Sequence, residues 1–309
     1  MRRTLARGCF GSAALVVALI LSATAFVYVQ AKRVPTGRPV YVALGSSFAA
    51  GPALGSLQSG SPLLCARTEG NYPRRLARLL RLPLVDRSCG GATTANTLRG
   101  GQFFQPPQVD AVNRETRLVT VTVGGNDVGY VGDLSLLAAR RSDGPFGWAV
   151  RRFWSGPAET RDYARLRAEL VALIRAARVR APATRIVVAT YPAILPPRGT
   201  CARLGLAADE VASMRAAAAR LAATTRAAAA EGGATLVDMD AIGAAHHACA
   251  AVPWTKGQAR LLDAPFHPTA AGAEATARAI AAALNGSPAA VPAVGEDDAA
   301  GHQAGRIRR

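Results

Sequence analysis

Four segments of the chain carry residues able to do covalent chemistry. Gly45-Ser46-Ser47 offers hydroxyls, and Ser88-Cys89-Gly90-Gly91 offers a backbone that a ligand can approach closely. Gly124-Gly125-Asn126-Asp127 offers a carboxamide and a carboxylate, and Asp263-Ala264-Pro265-Phe266-His267-Pro268 offers an imidazole. A serine hydroxyl, an imidazole that titrates near neutral pH and well-placed N–H donors are the parts of nucleophilic acyl transfer: nucleophile, base and oxyanion stabilisers. Taken singly, each segment has a plainer use. Residues 45–51 lack the spacing and the Lys-Ser/Thr of a phosphate loop, and they are not a GxSxG elbow. Residues 124–127 are ordinary turn formers, and a histidine before a proline can simply start a helix.

The elements around these segments bring them to one place. Five short apolar runs at 40–44, 82–85, 118–123, 185–189 and 235–237 read as strands buried on both faces. Between them, 72–81, 160–180 and 207–231 have helical patterns, with leucines at three- and four-residue steps in the first two, and a further one at 268–284 closes the domain. Strand alternating with helix predicts an α/β three-layer sandwich with a five-stranded parallel sheet. Ligands gather at the carboxyl ends of such strands. Three of the segments follow the first three strands directly, and the fourth lies between the last strand and the last helix.

As an ordered set, the segments resemble the four sequence blocks of the SGNH, or GDSL, hydrolases. The first block, usually Gly-Asp-Ser, is Gly45-Ser46-Ser47. The second matches at Gly91, the third at Gly124-Gly125-Asn126-Asp127 and the last at His267-Pro268. The resemblance implies a flavodoxin-like fold and a serine esterase or lipase working through an acyl-enzyme. It makes Ser47 the nucleophile and His267 the base. The oxyanion hole would be the Ser47 N–H, the Gly91 N–H and the Asn126 side chain. No metal or cofactor is expected, and the substrate would be a small-molecule or lipid ester.

Two departures from the family pattern bear on the chemistry. Ser46 stands where the family usually has aspartate, which puts the turn geometry in question more than the nucleophile. The third triad member usually lies three residues before the histidine, and that position is Ala264. Either Asp263 reaches the imidazole or a backbone carbonyl, most naturally that of Ala264, orients it. The carbonyl arrangement, a Ser–His dyad, is the expectation.

Composition sets the compartment and the partners. Arg2, Arg3 and Arg7 precede an apolar stretch, so residues 1–31 read as an export signal or an uncleaved membrane anchor. Residues 38–285 would be the hydrolase domain and 286–309 a disordered tail. The chain is then secreted or held in the cell envelope, as a monomer. In an oxidising compartment Cys65, Cys89, Cys201 and Cys249 permit three pairings. Sequential pairing, Cys65 with Cys89 and Cys201 with Cys249, closes two local loops and is the expected one. The arrangement resembles the secreted, disulfide-bridged branch of the family.

The net charge is +17, carried by arginine, with lysine only at 32 and 256. No basic run exceeds two residues and no aromatics interleave the arginines, which argues against nucleic acid. An anionic membrane or envelope surface fits better. The competing reading is a non-catalytic envelope protein that binds anionic lipid or polymer through this basic surface.

Overall fold

A computed structural model describes residues 2–33 and 37–286. Five strands form one parallel sheet: β1 (Tyr41–Gly45), β2 (Leu84–Asp86), β3 (Leu118–Thr122), β4 (Arg185–Ala189) and β5 (Thr235–Val237). Their order across the sheet is β2-β1-β3-β4-β5. β1 and β3 are buried throughout. Their β-branched and apolar residues suit strands covered on both faces.

Among the described residues, ten α-helices accompany the sheet. They are α1 (Arg2–Ala31), α2 (Ser47–Ala50), α3 (Tyr72–Leu80), α4 (Thr94–Arg99) and α5 (Tyr130–Arg140). There follow α6 (Pro145–Phe153), α7 (Tyr163–Arg180), α8 (Ala208–Glu231), α9 (Met239–Ile242) and α10 (Ala270–Leu284). One face packs Val42, Leu44, Val119 and Val121 against Leu166 and Leu170 of α7 and Leu221 of α8. The other packs Tyr41, Ala43 and Val187 against Leu76 of α3 and Ile280 of α10. The result is the expected α/β/α sandwich.

The strand order places a switch point at the carboxyl end of β1. The chain leaves β1 for β2 on one side and returns to β3 on the other, so loops diverge there and leave a crevice. Gly45 ends β1 opposite Thr122 of β3. Its backbone has φ +149°, and a Cβ there would overlap the Thr122 carbonyl, so the position requires glycine. Gln108 clamps the same residue from outside the sheet: Gly45 N–H donates to its Oε1 at 2.8 Å and its Nε2 donates back to the Gly45 carbonyl at 3.1 Å.

Residues 2–31 form one helix, and among the described residues no helix is long and apolar enough to cross a membrane. The expected tail, apart from Gly286, lies outside the described residues. The segment 130–156, for which no element was expected, folds into α5 and α6.

Gln108→Ala should strand the Gly45 N–H in the interior, while the Gly45 carbonyl keeps its bond from the Cys89 N–H at 3.0 Å. One unmet buried group costs about 1–3 kcal/mol. The urea midpoint should fall with an unchanged m-value; an unshifted midpoint would show that water replaces the clamp.

Candidate active site

The four segments meet at the switch point. Ser46 leaves β1 fully buried in extended conformation, and Ser47 is the first residue of the single-turn α2. The side chain of Ser47 stands at the floor of a cavity, where it meets His267: Oγ to Nε2 is 2.8 Å. The other ring nitrogen, Nδ1, lies 2.7 Å from the Pro265 carbonyl. A carbonyl can only accept, so Nδ1 carries the proton and Nε2 accepts from the serine hydroxyl.

The carbonyl on the imidazole is thus that of Pro265 rather than Ala264. Asp263 sits in an exposed turn, and its own carbonyl accepts from Lys256 Nζ at 2.7 Å. The backbone explains the difference. Ala264 and Phe266 both adopt left-handed conformations, with φ of 53° and 59°. These kinks turn the Pro265 carbonyl inward and carry Asp263 away. Each costs on the order of 1 kcal/mol for a residue with a Cβ. Burial of Ala264 and Phe266 holds them in place.

Gly91 and Asn126 line the same cavity. Gly91 has φ +78°, and neither its N–H nor that of Ser47 donates to an acceptor among the described residues. Asn126 Nδ2 donates one hydrogen to the Ala92 carbonyl at 2.9 Å. An amide nitrogen has two, so one remains for the cavity. Asp127 ties the two loops together: its carboxylate accepts from the Thr94 N–H at 3.0 Å and from the Thr94 hydroxyl. Burial raises the Asp127 pKa, and the bonds from Thr94 oppose the rise.

The disulfides support the surrounding loops. Cys65 is bonded to Cys89 and Cys201 to Cys249. The first lies beside the glycine loop, where Gly90 N–H donates to the Cys65 carbonyl at 2.9 Å. By loop entropy each contributes roughly 3–4 kcal/mol.

The cavity measures about 820 Å³ and is lined by Val131, Leu136, Ala139 and Phe146 from α5 and α6, with Pro265 and Ala259 opposite. A hydroxyl–imidazole pair under an apolar roof, with spare N–H donors beside it, is equipped for acyl transfer from an ester. A family model described as GDSL-like Lipase/Acylhydrolase family matches residues 43–275.

The chain belongs to that family. It is a carboxylic ester hydrolase of the SGNH, or GDSL, type. It is 34% identical over 246 residues to "Lipase 2" of Streptomyces coelicolor, a match covering 75% of this chain and 81% of that protein. It is 31% identical to "Lipase" of Streptomyces rimosus, with the same two coverages. Among solved structures it resembles the extracellular lipase of Streptomyces rimosus, with a TM-score of 0.63 and 29% identity over 80% of this chain and 98% of that one. Phospholipase A1 from Streptomyces albidoflavus gives 0.61 and 28% over the same shares.

Two residues of this hydrolase's site escaped the sequence. Tyr191, buried just after β4, shares a hydrogen bond with Ser46 Oγ at 2.9 Å and accepts from Gly125 N–H at 3.0 Å. It thereby joins the first and third blocks where the family aspartate is missing, and its ring packs on Phe48 at 4.3 Å. The end of the fourth strand is the signal that points to it, by the same rule that flagged the others. Pro265 acts through a backbone carbonyl, which leaves no signature in residue type. His246, by contrast, is stacked on Trp254 at 4.1 Å, away from Ser47.

Tyr191→Phe removes one hydroxyl and unpairs two groups, the Ser46 hydroxyl and the Gly125 N–H. A loss of about 2–4 kcal/mol is expected from two unmet buried groups. Equilibrium unfolding checks it, and a value under half a kcal/mol would mean that the bridge is replaceable.

Proposed function

We propose that this enzyme cleaves esters with long apolar acyl chains through an acyl-Ser47 intermediate. The contact of 2.8 Å between Ser47 Oγ and His267 Nε2 at the floor of an apolar cavity carries the reading. His267 takes the Ser47 proton as Oγ attacks the ester carbonyl. The carbonyl oxygen, now negative, is held by the N–H groups of Ser47 and Gly91 and by Asn126 Nδ2. Collapse of the tetrahedral adduct expels the alcohol, which takes the proton from Nε2. Water then attacks the acyl-enzyme with His267 again as base, and Ser47 is regenerated.

The remaining organisation follows from this. Residues 38–285 would be the catalytic unit and 1–31 an export signal. The two disulfides favour an oxidising compartment. The Streptomyces rimosus relative is described as an extracellular lipase, which agrees with export.

The base is unusual in its acidity. Burial drives the His267 pKa down to about 4; the Pro265 bond pulls upward and the charge of Lys256 pushes further down. A depressed imidazole stays neutral until the pH falls through that region. So kcat/KM should hold across pH 7 to 5 and fall only toward about pH 4. An acid limb centred near the ordinary histidine value of about 6.5 would contradict the assignment.

Substitutions separate the roles. Ser47→Ala should abolish both turnover and labelling by a fluorophosphonate. Asn126→Ala should lower kcat by about 100-fold or more, the usual cost of one oxyanion donor. Asp263→Ala should stay near the parent, since its carboxylate does not meet the ring; a loss approaching that of His267→Ala would restore a triad. Across a nitrophenyl ester series, kcat/KM should rise from acetate toward long chains. A maximum at acetate would refute the long-chain reading.

A further inference from the structure

Next to the cavity the fold leaves apolar side chains uncovered. On α6, Phe146 is 54% exposed, Trp148 58% and Phe153 74%; two residues past Arg260, Leu262 is 91% exposed. Phe146 of this group and Arg260 both line the cavity itself, so the exposed patch and the acyl site are continuous. Trp148 and Phe153 meet edge to face at 5.9 Å and form one raised cluster. Helix α6 buries only Gly147 and Val150 against the protein, so most of its surface faces outward.

Charge decides what this face would meet. Arg151 and Arg152 lie on α6 between the aromatics, and Arg260 lies on the opposite rim; all three are exposed. Among the described residues no carboxylate comes within ion-pair distance of any of them, whereas Arg140 and Arg141, one helix back, are both paired with Glu210. Arg151 donates through Nη1 to the carbonyls of Arg140 and Ser142, at 2.7 and 2.9 Å, which fixes its place beside the end of α5 and leaves Nη2 without a partner among the described residues. Asp143, between α5 and α6, is the nearby acid in sequence. A cluster of Trp and Phe ringed by arginines without counter-ions matches an anionic lipid–water interface. The rings enter the acyl boundary and the guanidinium groups meet headgroup phosphates.

We infer that α6 and the 258–263 loop form a docking face for anionic lipid surfaces and that it aims the cavity mouth into the lipid. An ester-bearing chain then passes from bilayer or micelle to Ser47 without crossing water. This rests on the long-chain ester reading above, and the test separates the two.

Full-length Ser47→Ala protein, which cannot consume the lipid, is mixed with vesicles of equimolar phosphatidylglycerol and phosphatidylcholine and, separately, of phosphatidylcholine alone. Binding is read by co-sedimentation and by a blue shift of tryptophan emission that disappears with Trp148→Ala. The anionic vesicles should bind at least about ten-fold more tightly than the neutral ones. Trp148→Ala/Phe153→Ala and Arg151→Glu/Arg152→Glu should each weaken that binding by about ten-fold or more. In the Ser47 background, the same pairs of changes should leave hydrolysis of soluble nitrophenyl butyrate within about two-fold of the parent, which also shows that they fold. Equal binding to both vesicle types, or binding indifferent to the substitutions, overturns the docking face. So does a dimer in sedimentation velocity that Trp148→Ala/Phe153→Ala dissociates, because a second copy would then cover the patch. Failure to turn over any ester would instead remove the hydrolase reading and leave the vesicle result standing.

Discussion

The site depends on how the chain leaves β1. In one residue it must pass from a fully buried strand to a side chain aimed at solvent. Ser46 occupies that residue, with its own N–H on the Thr122 carbonyl at 2.9 Å and its hydroxyl on Tyr191. Each polar group at this corner is met by another part of the fold: Gln108 meets Gly45, and Tyr191 meets Ser46 and Gly125. A buried group left unmet costs more than a made bond returns. The corner is therefore held by the penalty of every alternative, and Ser47 inherits a fixed direction.

Tyr191 also shows how a family aspartate can be replaced. A carboxylate at position 46 would bring a charge into a buried corner and require partners for it. Ser46 brings a neutral hydroxyl, and the tyrosine hydroxyl supplies the reach that the shorter side chain lacks. Burial pushes the Tyr191 pKa up to about 12, so the bridge stays neutral at working pH. The same ring presses on Phe48, which in turn lies 5.4 Å from the imidazole of His267. Bracing of the turn and packing of the base thus run through one side chain.

Much of this architecture can be read from residue types. The five strands appear as β-branched runs because sheets covered on both faces admit little else, and the strand-end rule collects Ser47, Gly91 and Asn126 at one edge. Helix α6 stays hidden for a physical reason: Gly144 and Gly147 interrupt it and Phe146, Trp148 and Phe153 are exposed, so no apolar stripe of helical period marks it. Helix α5 does carry such a stripe, burying Tyr130, Val131, Leu134, Leu137 and Ala138 at three- and four-residue steps, and is legible from it. Tyr191 and Gln108 are invisible in another way: their bonds join residues 145 and 63 positions apart, and no local pattern encodes such a meeting. The Pro265 carbonyl is hidden most completely. Every residue has one, and only the left-handed kinks at Ala264 and Phe266 aim it.

That carbonyl suits the cavity above it. In the mechanism we propose, attack by Ser47 makes the imidazole positive and the ester oxygen negative, so a dyad creates a pair with no net charge. A buried aspartate behind the ring would leave one negative charge over in a space lined by Val131, Leu136 and Phe146. An unbalanced charge in such surroundings costs several kcal/mol after relaxation. The cost of doing without it falls on the base, whose proton affinity burial and Lys256 have already lowered. In that mechanism the proposed oxyanion donors must hold the adduct more firmly, and in an apolar, preorganised pocket such hydrogen bonds are strongest. An apolar roof, a carbonyl-oriented histidine and donors fixed by Asp127 and the Cys65–Cys89 bridge are therefore one solution to one electrostatic problem.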